Sequence, residues 1–127
     1  MNEDQINVLV LAYLGDSVYE LLIREFFIKK GINKVNNLQN KVIKYVSAKD
    51  QARIIEMLLD NKLLTDEEID IVKKGRNAKV NSHPKNTDIL TYKWATALEC
   101  LFGYLYIKEE KERINELINI ILGEEIW

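Results

Sequence analysis

Apolar residues recur at three- and four-residue intervals along almost the whole chain, and no run of strict apolar and polar alternation stands between turn signals. That spacing lines one face of a helix, whereas a half-buried strand needs a period of two, so the pattern predicts an all-α protein. A first helix is expected from Gln5 through Lys30, capped by Asn2, stopped by Gly31 and, being apolar on several faces, placed near the centre. Gly15 is read as tolerated inside it, although Ser17 with Glu20 three residues on would make a capping box if the helix restarted there. A second helix is expected over Val35 to Tyr45. Ser47 with Asp50 caps a third through Leu59. Thr65-Asp66-Glu67-Glu68 opens a fourth, bounded by Gly75. A polar loop reaches Asn86, a long helix runs from Thr87 through Tyr106, and a last one after Lys108 carries Ile114, Leu117, Ile118, Ile121 and Leu122 on one face.

With 127 residues the chain has room for one compact domain, expected to span 1–127. Hydrophobic residues at 47% and a single Pro exclude a disordered or low-complexity chain. Charged residues interrupt every apolar run before the roughly 18 residues that a membrane span needs. Met1-Asn2-Glu3-Asp4 lacks the basic start of a signal peptide, and Cys100 stands alone, so a cytoplasmic address and no membrane partner are expected. There is no G-x-G-x-x-G, P-loop or H-E-x-x-H, and the lone His83 is assigned no chemistry.

The net charge of −2 conceals a segregation. Residues 73–93 hold Lys73, Lys74, Arg76, Lys79, Lys85 and Lys93 against Asp88 alone, a net of +5, on a body that carries −7. A basic loop segment of this kind suits a polyanion.

Two carboxylates stand out. Glu99 is the only acid between Tyr92 and Tyr106, a stretch apolar on most faces, where an ionised carboxylate costs several kcal/mol unless something compensates it. Its neighbours one turn away, Thr96 and Gly103, are small and are expected to leave volume above it for a hydrated ion. Asp16 repeats the pattern, with Ala12 one turn before and Glu20 one turn after. Oxygen ligands from two facing helices, with positions left for water, suit Mg²⁺. Local reasoning leaves two plainer readings open: Asp16 as a residue near a helix cap, and Glu99 in a structural salt bridge with Arg24, Arg53 or a lysine.

Leu14-Gly15-Asp16-Ser17-Val18, taken with Ala97-Leu98-Glu99-Cys100-Leu101-Phe102-Gly103-Tyr104-Leu105-Tyr106, resembles the ribonuclease III catalytic domain. Tyr45-Val46-Ser47-Ala48-Lys49, Lys74-Gly75-Arg76-Asn77-Ala78-Lys79 and Pro84-Lys85-Asn86-Thr87-Asp88 are similar to the Mini-ribonuclease III branch, which has no separate double-stranded-RNA-binding domain. The resemblance implies a homodimeric helical bundle that cleaves double-stranded RNA, matures precursor 23S ribosomal RNA, depends on Mg²⁺ with Mn²⁺ able to substitute, and leaves 5′-phosphate and 3′-hydroxyl ends. It makes Asp16 and Glu99 the catalytic and metal-binding residues. Two further acids of the wider family are Ala12 and Thr96 here, which implies weaker metal affinity and more coordination by water and RNA phosphate.

On this reading Glu20 and Thr96 reach the metal through water, and Lys73, Lys74, Arg76, Asn77, Lys79, Lys85 and Lys49 contact RNA through phosphate and 2′-hydroxyl groups. A large-subunit ribosomal protein is a candidate further partner. Tyr13, Tyr19, Trp94, Phe102, Tyr104 and Tyr106 are expected to be core or dimer packing. The competing functions are a non-catalytic RNA-binding or ribosome-assembly protein of the same fold, and a helical adaptor without RNA affinity.

Overall fold

The computed structural model describes residues 6–80 and 83–123. Among them six helices form and no strand does: α1 (Val8–Lys29), α2 (Val35–Val46), α3 (Ala48–Asp60), α4 (Asp66–Asn77), α5 (Ile89–Ile107) and α6 (Lys111–Leu122).

Helix α1 begins three residues later than the apolar pattern suggested. Asn7 caps it, its Oδ1 accepting the Leu9 N–H at 2.8 Å, and the expected Asn2 cap lies outside the described residues. The helix passes through Gly15 and Ser17 without a break. At its far end Gly31 adopts φ +104°, the Gly31 N–H bonds the Ile28 carbonyl at 3.0 Å and the Ile32 N–H bonds that of Phe27 at 3.2 Å. These two bonds make a Schellman termination, which needs a residue at ease with positive φ.

Ser47 caps α3 by accepting the Asp50 N–H, and Thr65 and Glu68 form the reciprocal capping box of α4. Gly75 does not end α4, as the sequence suggested; the helix continues to Asn77 and the glycine is buried. A Cβ on Gly75 would lie 2.7 Å from the Cys100 Sγ, so the missing side chain serves the packing of α4 on α5.

The central element is α5 and not α1. Residues 95–98 and 100–105 are all buried, because α1, α3 and α4 pack around α5. α1 buries one face, including Leu11, Val18, Tyr19, Ile23 and Phe27, and leaves Val10, Tyr13, Leu21 and Ile28 exposed. Tyr19 and Phe102 meet at 5.1 Å between ring centroids, and the Tyr19 hydroxyl donates to the Tyr45 carbonyl at 2.8 Å, tying α1 to the end of α2. The apolar face of α6 is buried as its periodicity predicted. Arg113 anchors that helix to α4, donating from Nε and a terminal nitrogen to the two Glu68 carboxylate oxygens at 2.8 Å each, and to the Leu63 carbonyl at 2.7 Å.

Candidate active site

The site is created by two glycines. A Cβ on Gly15 would lie 1.7 Å from the Glu99 carbonyl oxygen, and one on Gly103 2.0 Å from the Leu11 carbonyl oxygen. Only residues without side chains let α1 and α5 approach until their backbones touch. This contact sets Asp16, next in chain to Gly15, beside Glu99, one turn from Gly103. Gly103 is therefore not the open volume over Glu99 that its small size suggested, since the α1 backbone fills that space. The opening lies on the side of the other small neighbours, Ala12 and Thr96, as a cavity of about 380 Å³. Tyr13, Asp16, Lys79 and Glu99 also line it.

The Asp16 and Glu99 carboxyl groups are hydrogen-bonded to each other. Burial, then the Asp16 charge, then that hydrogen bond push the Glu99 carboxyl up to about 8, against an opposing influence of the Gln51 side chain. The plainer reading of Asp16 and the arginine part of that of Glu99 do not match the structure. Asp16 sits in the middle of a continuous helix, and the two arginines proposed for Glu99 are engaged elsewhere, Arg24 with Glu20 at 2.5 Å and Arg53 with Asp50 at 3.4 Å.

A larger cavity of about 500 Å³, bordered by Leu11, Ile71 and Tyr104, lacks this imbalance. Its Glu67 accepts from both Tyr104 and Lys108, and its Asp70 pairs with Lys74. The carboxylates there have partners of opposite charge or donor character, and those at Asp16 and Glu99 face each other.

Two mutually repelling carboxyls opening on a polar cavity fit a divalent cation. No group of three or more His, Cys, Asp or Glu side chains clusters to hold a metal among the described residues, so this donor set does not build an all-protein cage. It suits a hard ion that keeps several waters and takes one or two carboxylates, as Mg²⁺ does. Thr96 lines the cavity, but its hydroxyl donates to the Tyr92 carbonyl at 2.9 Å. Glu20 is turned to Arg24 and does not line the cavity.

The basic residues separate by position. Lys79 lines the cavity. Arg76 lies over the Trp94 ring, 5.0 Å from its centroid, and its Nε donates to the Asn77 side chain at 3.2 Å. Lys74 pairs with Asp70 at 3.2 Å. Lys73 and Lys85 are exposed, as is Lys49 in the first turn of α3. His83 packs its ring 6.2 Å from that of Tyr92. Cys100 donates to the Val8 carbonyl at 3.0 Å, and burial followed by the Glu99 charge raises its thiol to about 12, in keeping with a packing role.

Sequence reasoning missed Gln51. It is 3% exposed on α3 and near enough to Glu99 to oppose the effect of burial on its carboxyl. Its clue was a polar residue at a core-facing position of an amphipathic helix, two residues after the Tyr45 to Lys49 segment.

Comparison with known proteins identifies the family. The family model of the ribonuclease III domain matches residues 9–110. The chain is 46% identical to the Mini-ribonuclease 3 of Enterococcus faecalis, over 91% of this chain and 87% of that one. It is 47% identical to the Mini-ribonuclease 3 of Brevibacillus brevis, over 93% and 90%. A crystal structure of a protein from Fusobacterium nucleatum superposes with a TM-score of 0.82 at 34% identity, covering 95% of both chains. With its paired carboxyls inside the matched span, the chain belongs to the ribonuclease III family, in its Mini-ribonuclease 3 branch, and is by that membership an endoribonuclease.

Proposed function

We propose that residues 1–127 act as a single catalytic domain that cleaves double-stranded RNA with the help of Mg²⁺, for which Mn²⁺ substitutes, and that the cytoplasmic substrate is precursor 23S ribosomal RNA. The observation that carries this reading is the hydrogen-bonded Asp16 and Glu99 pair, from two helices, opening on a cavity that Lys79 borders. A non-catalytic assembly protein of the same fold has no use for a second acid buried beside the first, since burying it carries a desolvation cost. No helix among the described residues is long and apolar enough to cross a membrane.

Asp16 and Glu99 would hold the ion. When bound, it neutralises charge on the phosphoryl and leaving oxygens and acidifies a water molecule for attack. Small side chains at Ala12 and Thr96 leave the room a phosphate needs. Lys79 meets the scissile region, and Arg76, over the Trp94 ring, Asn77, Lys73, Lys74, Lys85 and Lys49 meet the flanking backbone. Water oxygen joins phosphorus, the bond to O3′ breaks, and O3′ takes a proton, leaving a 5′-phosphate and a 3′-hydroxyl.

A second copy of this chain is the partner that the exposed apolar face of α1 fits. Leu14, Val18, Leu21 and Leu22 border an apolar cavity of about 430 Å³ with Tyr106 and Ile114, and Tyr13 stands 84% exposed nearby on the same helix. A large-subunit ribosomal protein that presents the substrate is a further partner on this reading.

The test is incubation of the protein with duplex RNA, with and without Mg²⁺. The wild type cuts only with the ion, and Asp16→Asn binds the duplex without cutting it. Turnover by the Asp16→Asn protein at the wild-type rate would remove Asp16 from the mechanism.

A further inference from the structure

Three of the arginines are neutralised by carboxylates: Arg24 pairs with Glu20, Arg53 with Asp50, and Arg113 with Glu68 and Glu116. Arg76, the remaining one, has no carboxylate in ion-pair contact among the described residues. Its half-buried guanidinium lies over the Trp94 ring, 5.0 Å from the centroid, and its Nε donates to the Asn77 Oδ1 at 3.2 Å. A guanidinium carries its N–H donors in one plane, and Asn77 takes only the one on Nε. The two terminal nitrogens keep their donors without a protein acceptor among the described residues.

The packing of α4 on α5 builds this pair. A Cβ on Gly75 would lie 2.7 Å from the Cys100 Sγ and 3.2 Å from the Ala97 Cα, so the glycine lets the end of α4 close on α5. Arg76 is next in chain to Gly75, and Trp94 lies one turn before Ala97, so the same close approach carries the guanidinium to the ring. Trp94 is itself half-buried and packed against the core, which makes it a fixed surface. A carboxylate in its place would neutralise Arg76 and occupy the terminal nitrogens. An aromatic face attracts the cation from one side only, fixes its plane and leaves the charge and the outer edge available. The pair stands within the segment of net charge +5, and Lys79, three residues beyond Arg76, borders the cavity of Asp16 and Glu99.

We propose that Trp94 is a positioning residue for RNA binding, whose ring holds the Arg76 guanidinium charged and in one plane, with its two terminal nitrogens presented to a phosphate that flanks the cleaved one. This rests on the double-stranded-RNA reading above. Parallel N–H donors from a planar fork match two phosphate oxygens, a geometry that a mobile side chain reaches only by giving up rotamer freedom. With the plane already set by Trp94 and the Nε edge by Asn77, less of that freedom is lost when the phosphate arrives.

The test is a double-mutant cycle on duplex RNA affinity, measured by filter binding in chelator so that nothing is cut, with thermal melting of each variant as the check on folding. Arg76→Ala should weaken binding about 10-fold, the loss of one charge-assisted contact. Trp94→Leu should weaken it about 3–5-fold when Arg76 is present and leave it unchanged in the Arg76→Ala background, because the ring acts only through the guanidinium. Trp94→Tyr, which keeps an aromatic face, should bind within about 2-fold of the wild type. Trp94→Met gives the same readings if the Leu variant does not fold. An equal loss from Trp94→Leu in both backgrounds overturns the proposal by making Trp94 structural alone, and so does an Arg76→Ala protein of wild-type affinity or a Trp94→Leu protein of wild-type affinity. A wild type without affinity for duplex RNA overturns the RNA reading and the proposal with it, whereas a wild type that binds beside a cycle without coupling removes the role of Trp94 alone.

Discussion

Gly15 and Gly103 each stand where the other helix's backbone passes, and this reciprocal contact is what brings Asp16 to Glu99. Because the atoms a new Cβ would meet are carbonyl oxygens, no change of rotamer can relieve the overlap. Ala adds about 1 kcal/mol of helix propensity over Gly, which cannot offset driving two helices apart. Gly15→Ala or Gly103→Ala should cost about 3 kcal/mol in urea unfolding and suppress cleavage. Gly123→Ala, with nothing within 4 Å of its Cβ, should leave both unchanged. Equal stability of all three variants would contradict the close approach.

The acid pair makes the metal-free protein sensitive to alkali. Folded Glu99 keeps its proton to about 8, whereas unfolded it releases it near 4.5. Between those values the folded state binds more protons, so stability falls as pH rises through the window. Urea unfolding in chelator at pH 5, 6.5 and 8 should show the decline, Glu99→Gln should flatten it, and added Mg²⁺ should oppose it. Identical slopes for wild type and Glu99→Gln would rule out the coupling.

Arg113 and Glu68 work in the opposite direction on the pH scale. Burial raises the Glu68 carboxyl, but hydrogen bonds from Arg113 and Thr65 outweigh it and hold it below its ordinary value. The stabilisation is therefore present above about 4.5 and lost as pH falls below it. Glu68→Gln should show a shallower acid limb. Arg113→Ala, which leaves a buried carboxylate unpaired, should cost about 3 kcal/mol at pH 7. A cost near that of an exposed pair, under about 1 kcal/mol, would mean the carboxylate finds water instead.

RNA affinity should depend on salt through the basic segment. Arg76→Ala and Lys79→Ala should each lower the slope of log affinity against log salt by about one. Filter binding at several salt concentrations measures this, and an unaltered slope in the double variant would move the RNA to another face.

The apolar groove at Leu21 should be closed by a second copy. Leu21 is 63% exposed, so Leu21→Lys should fold with stability within about 0.5 kcal/mol of the wild type per chain while halving the mass in sedimentation equilibrium. A wild type that sediments as a monomer would refute the dimer directly.

Much of this protein was legible along the chain. Ser and Thr caps, the Gly31 stop and the 3.6-residue period are local signals, decided by neighbouring atoms, and Ser47, Thr65, Gly31 and α6 stand where they put them. Gly75 misled because a glycine near a helix end has two uses, as a terminator or as a place for close packing, and only the position of Cys100 tells which. The same ambiguity made Gly103 look like room for an ion when it is room for α1. Gln51 stayed hidden because the Glu99 carboxyl that it influences lies 48 residues away and on another helix.

By itself the sequence determined the helices, the family and the two unusual acids, since propensity, capping and motif all act within a few residues. Tertiary structure alone decided that Asp16 and Glu99 touch, that their cavity opens beside Ala12 and Thr96, and that Lys79 borders it. Those facts depend on how closely two helices cross, a distance set by the meeting of surfaces remote in the chain and recorded in no local pattern.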